Sequence, residues 1–226
     1  MLFDILYLIG LTAVGITGAI AAGREKMDIF GVIVIAEITA FGGGSVRDVL
    51  LGHYPLAWVE NPNHFLLIAG AALVTIFGAP LIKHFNRHFH IIFLVLDGLG
   101  LIAFAILGTQ VALTMGHGFT IAAVAAMITG AFGGVLRDLL CNRIPLVFQG
   151  ELYASVAFLS TCIYIGLQYL QIEQNIVVFS TLIIGFIIRL LAIYYGWGLP
   201  VFDFQDHDSP PHNDDKLPER QKYEKP

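Results

Sequence analysis

The chain has 226 residues, 57% of them hydrophobic and 13% charged, with a mean hydropathy of +0.77. A soluble domain carries about 25% charged residues, so half that share excludes an ordinary water-soluble fold. The formal net charge of −5 is local: residues 203–226 hold seven acids and four bases, and the 202 residues before them hold ten and eight.

A bilayer crossing needs about 20 apolar residues, and seven segments meet that length: 3–22, 29–51, 64–82, 91–113, 119–140, 151–171 and 176–197. The chain reads as an all-α membrane protein. Asp4 interrupts the start with no basic residue before it and no small-residue cleavage site after it, unlike a secretory signal peptide. Polar stops follow the spans: Arg24, Glu25 and Lys26 after the first, His53 to Pro55 after the second, Lys83 to His88 after the third, and Asn142 to Pro145 after the fifth. Lys and Arg in the short loops alternate. Arg24, Lys26, Lys83, Arg87 and Arg143 fall on one side, and only residues such as Glu60, His117 and Glu173 on the other. The positive-inside rule therefore predicts an external N-terminus and a cytoplasmic C-terminus. Residues 203–226 cannot build a core and read as a disordered cytoplasmic tail.

The second and fifth spans differ from the rest. Residues 40–51 carry Gly42, Gly43, Gly44, Ser45, Arg47 and Asp48, and residues 131–140 repeat the theme with Gly133, Gly134, Arg137 and Asp138. Glycine clusters let a helix bend or break, so each span is expected to split into a longer half and a short half-helix. A charge at membrane depth is a functional hypothesis by default, and breaks at matching places in two halves point to a transport site.

The match extends further, without gaps, at an offset of ninety residues. Gly10, Ala13, Ile16 and Gly18 recur as Gly100, Ala103, Ile106 and Gly108; Ala36, Ile38 and Thr39 recur as Ala126, Ile128 and Thr129; Pro55 and Leu56 recur as Pro145 and Leu146. Three spans per copy is an odd number, so the second copy is upside down relative to the first. The expected division is 1–90 and 91–175 for the two repeats, 176–200 for a seventh helix and 201–226 for the tail. Small residues four apart, as in Gly15-Ala19-Gly23, Ala36-Ala40-Gly44 and Ala122-Ala126-Gly130-Gly134, predict close helix packing.

Neighbours on a helix point about 100° apart, so Arg47 and Asp48 are expected to find partners elsewhere: Arg47 facing Asp138, and Arg137 facing Asp48. A pore and a mere clasp between repeats both fit such pairs. Thr39, Thr129, Ser45, Glu37 and Asp97 are the other candidate pore residues. Glu37 and Asp97 break the repeat, matching Met127 and Tyr7. Arg189 is expected to snorkel to the cytoplasmic interface. A metal is not expected: Cys141 and Cys162 have no ligand spacing, and His84 and His88 lack a third ligand. No basic stripe suggests nucleic acid, and no nucleophile elbow, P-loop or dinucleotide motif suggests an enzyme.

On its paired glycine and Arg-Asp motifs, over residues 3–198, the chain resembles the prokaryotic trimeric intracellular cation channel (TRIC) family, also known by a glycine-transporter (UPF0126) name. That resemblance implies a homotrimer whose protomers each hold a pore bent at Gly42–Gly44 and Gly133–Gly134, conducting K⁺ and other monovalent cations such as Na⁺. Arg47, Asp48, Arg137 and Asp138 match its charged pore positions; Phe132 stands where the first copy has Gly42. The lack of a long lysine-rich tail favours a bacterial plasma membrane. The leading expectation is a passive K⁺ channel whose only ligands are permeant ions and bound lipid. A secondary transporter for glycine or a similar small amino acid and a non-transporting scaffold remain open beside it.

Overall fold

The computed structural model describes residues 1–82, 86–149 and 152–200; the tail and His84 lie outside them. The described residues form helices and no strand: α1 (Leu2–Arg24), α2 (Ile29–Leu51), the single turn α3 (Ala57–Glu60), α4 (Asn63–Ile82), α5 (Asn86–Thr114), α6 (Phe119–Leu140), a 3₁₀ turn (Leu146–Phe148), α7 (Ala154–Tyr169) and α8 (Gln174–Tyr195). Five of them, α1, α2, α5, α6 and α8, are long and apolar enough to cross a membrane. The apolar stretches Asn63–Gly78 and Ala154–Tyr169 are shorter. The segment expected over 151–171 is thus trimmed: Leu152 and Tyr153 precede the helix, which runs from Ala154 to Tyr169.

α1, α2, α5 and α6 pack together at the centre. α4 lies on α1 and α2, while α7 lies on α5 and α6, and α8 covers α5 and α7. Positions ninety apart share their local geometry. The backbone turns to positive φ at Lys26 (57°) and Gly116 (82°), and again at Gly52 (67°) and Asn142 (53°). After α2 the His53 N–H returns 2.8 Å to the Asp48 carbonyl, and after α6 the Arg143 N–H returns 2.8 Å to that of Asp138. Threonine hydroxyls inside the two helices donate back one turn alike, Thr39 to the Ile35 carbonyl and Thr129 to that of Ala125, each 2.6 Å.

The expected splitting of the two glycine helices does not occur. α2 stays helical through Gly42, Gly43 and Gly44, and α6 through Gly133 and Gly134. These glycines serve close approach. A methyl on Gly43 would lie 2.2 Å from the Thr129 carbonyl oxygen, and one on Gly133 would lie 2.2 Å from that of Thr39. One step along α2 from 39 to 43 thus corresponds to a step back along α6 from 133 to 129, so the helices cross antiparallel. The line of closest approach runs through Thr39 and Gly43, one residue away from the Ala36-Ala40-Gly44 stripe; Gly44 meets only Arg47, at 3.9 Å.

Candidate functional site

The two Arg-Asp pairs sit beyond the crossing in opposite directions. Arg47 is six residues past its centre along α2, and Arg137 is six past it along α6, about 9 Å each way. The expected exchange of partners across the repeats is not made. Arg47 donates from Nε and Nη2 to Oδ1 of its own neighbour Asp48, at 2.9 and 2.7 Å. Arg137 donates from Nε to Oδ1 of Asp138 at 2.8 Å. The long arginine stem curls back and closes the angle between adjacent side chains, which Cβ directions alone do not allow.

The two pairs are not equivalent. Arg137 is fully buried and makes two further bonds from Nη1, to Asp97 Oδ1 at 2.6 Å and to the Thr17 hydroxyl at 3.1 Å. Its guanidinium also stands 4.7 Å over the Phe93 ring. Asp97 is the partner that the sequence offered without its role, and Thr17 and Phe93 carried no signal. The position matching Asp97 in the first copy is Tyr7, so Arg47 has no second carboxylate of that kind. It faces a cavity of about 220 Å³ walled by Tyr7, Phe41, Arg47, Asp48, Trp58 and Thr129, among others. At the cavity's edge Nδ1 of His53 lies 3.1 Å from Asp48 Oδ1, and Ser45 accepts a 3.1 Å bond from the Trp58 indole.

A second cavity, about 470 Å³, lies at the other pair and is lined by Arg24, His90, Phe93, Asp138, Arg143 and Leu146, among others. Asp138 Oδ2 accepts the Leu146 N–H at 3.1 Å there. Arg143 donates to Glu25 at 2.7 Å, which ties the loop after α6 to the end of α1. The first cavity instead takes Asp4, Glu60 and Asn61 into its wall. The cavities therefore open at the two ends of the bundle. The α2–α6 crossing and the Arg137 cluster lie between them.

Of the remaining sequence candidates, Thr129 and Ser45 reach the first cavity, while Thr39 lines neither cavity. Glu37 is half-buried and lines neither; its Oε2 is enclosed without a hydrogen bond among the described residues. Arg189 does not snorkel. It is fully buried, its guanidinium 4.8 Å over the Tyr153 ring. The described residues hold no cluster of three metal-ligating side chains.

The family model described as "Glycine transporter" matches residues 4–80 and 94–169, once per copy of the repeat. UPF0126 membrane protein YvgT of Bacillus subtilis is 35% identical over 91% of this chain and 98% of its own length. UPF0126 inner membrane protein YadS of Escherichia coli is 31% identical over 92% and 99%. Among solved structures, a TRIC trimeric intracellular cation channel orthologue from Rhodobacter sphaeroides superposes with a TM-score of 0.80 at 33% identity, covering 86% of this chain and 98% of that one. A prokaryotic TRIC channel in 0.5 M KCl gives 0.81 at 32%, covering 88% and 99%. With its duplicated helices, its paired Arg-Asp motifs and these likenesses, the chain belongs to the UPF0126 (glycine-transporter) membrane family, to which the prokaryotic TRIC channels also belong.

Proposed function

We propose that this protein is a passive channel for monovalent cations, chiefly K⁺, with one ion path inside each protomer of a homotrimer. The observation that carries this reading is the pair of cavities at opposite ends of the α2–α6 crossing, each with an aspartate of the repeated motif in its wall. Likeness to solved cation channels at 30–33% identity supports it. The path runs from the Arg47–Asp48 cavity to the Asp138–Arg143 cavity. Asp48 and Asp138 lower the electrostatic barrier to a cation in a narrow passage. The Arg137 cluster between the cavities is the closed gate, and a bend of α2 and α6 at their glycines opens it. The chain divides into inverted repeats 1–90 and 91–175 plus a seventh helix, 176–200. The Glu25–Arg143 side is cytoplasmic, and the ligands are permeant ions and lipid.

The test is reconstitution into liposomes under a K⁺ gradient and, separately, with labelled glycine. Voltage-driven K⁺ flux without glycine uptake is expected. Saturable glycine uptake without unitary conductance overturns the channel in favour of a transporter, and neither activity leaves a scaffold. In the channel, Asp48→Asn and Asp138→Asn each lower unitary conductance.

A further inference from the structure

The wall behind Arg137 is completed by a helix with no counterpart in the other half. α8 follows both copies of the repeat and packs on α5, where Gly98 leaves room: a methyl there would lie 3.0 Å from Cγ of Arg189. Ninety residues earlier stands Leu8, which is exposed among the described residues. Gly98 directly follows Asp97, the carboxylate that holds Arg137 at 2.6 Å.

The charged end of Arg189 reaches the other side of the same cluster. Its guanidinium lies over the ring of buried Tyr153. That ring lines the small gap shared with Gly134, Arg137 and Asp138, and its hydroxyl would meet a methyl on Gly134 at 3.4 Å. One α8 side chain therefore braces the turn carrying Asp97 with its stem and the ring beside Arg137 with its charge. Arg189 lines neither cavity, so it is placed to act on the gate without meeting the ion.

We propose that Arg189 is a positioning residue that couples α8 to the Arg137 gate, and that this brace holds the Asp97 clamp in place on Arg137. The inference rests on the channel reading for its electrical consequence, but its structural part can be read independently. Cys141 caps α6 four residues beyond Arg137 and is buried. In a Cys162→Ser background it is the sole thiol, and a charged methanethiosulfonate reagent reports how tightly the end of α6 is held.

In the full-length reconstituted protein, Arg189→Met is expected to raise the Cys141 labelling rate and, in planar bilayers, the open probability about fivefold, the lower end of usual coupling between sites. Unitary conductance stays unchanged. Arg189→Lys keeps a stem on Gly98 and a cation over Tyr153 and stays within about twofold of the parent protein, on the same scale. Gly98→Ala displaces the stem while keeping the charge and is expected to loosen the gate as Met does; it decides the matter if Arg189→Met fails to fold. In a conducting protein, an unchanged labelling rate, an unchanged open probability or an altered unitary conductance overturns the proposal. If the parent protein passes no cations while labelling still responds to Arg189, the coupling stands and the channel reading falls.

Discussion

Gly43 and Thr129 touch across the α2–α6 crossing, and their repeat mates Gly133 and Thr39 touch in the same way, each glycine leaving no room for a methyl against the opposing carbonyl oxygen. A backbone atom cannot rotate away as a side-chain tip can. Gly43→Ala and Gly133→Ala are therefore expected to cost at least the 1–3 kcal/mol usual for overpacking, and Gly44→Ala, which meets only the tip of Arg47, almost nothing. Melting of the purified protein followed by size exclusion checks the ranking; equal loss at Gly43 and Gly44 would contradict the close crossing.

Asp97 and Asp48 should differ although both are buried aspartates bound to arginine. Asp97→Asn breaks one of two buried pairs and leaves fully buried Arg137 with Asp138 as its remaining carboxylate, a loss of up to about 3–5 kcal/mol. Arg47 borders the 220 Å³ cavity, where water can solvate it, so Asp48→Asn is expected to cost less. Melting temperatures of the two variants, measured side by side, test this order.

The pair Arg143–Glu25 is close but about one-third exposed on both sides. Exposed pairs contribute about 0–1 kcal/mol. Arg143→Gln is expected to leave the melting temperature nearly unchanged, and a large drop would show that the loop after α6 depends on that contact.

The two cavities open at opposite ends of the bundle, so cysteines at Glu60 and Arg143 should be labelled from opposite faces of the membrane. An impermeant maleimide added to intact cells is expected to reach Glu60→Cys and to reach Arg143→Cys only after permeabilisation. Labelling of both from outside would overturn the orientation and the path through the protomer.

Much of this was legible in residues alone. Apolar spans and the ninety-residue offset are one-dimensional signals, and the turns at Lys26 and Gly116 or at Gly52 and Asn142 repeat because the chain repeats. Asp97 was visible as an acid where symmetry has Tyr7. Which arginine it clamps was not visible, since a long stem makes pairing depend on what surrounds the guanidinium rather than on sequence distance.

Sequence by itself determined that the protein is helical, membrane-embedded and duplicated, and that two Arg-Asp pairs belong together in kind, because hydropathy, periodicity and repetition are properties of the chain. Only the tertiary structure decided the rest. A glycine cluster gives the same signal whether it breaks a helix or admits a neighbour, and here it admits Thr129 and Thr39. A buried arginine and a snorkelling one share a sequence context, and it is the packing of α8 on Gly98 and Tyr153 that buries Arg189. The asymmetry between Arg47 and Arg137 likewise arises from what packs around each, which no repeat written along one chain can express.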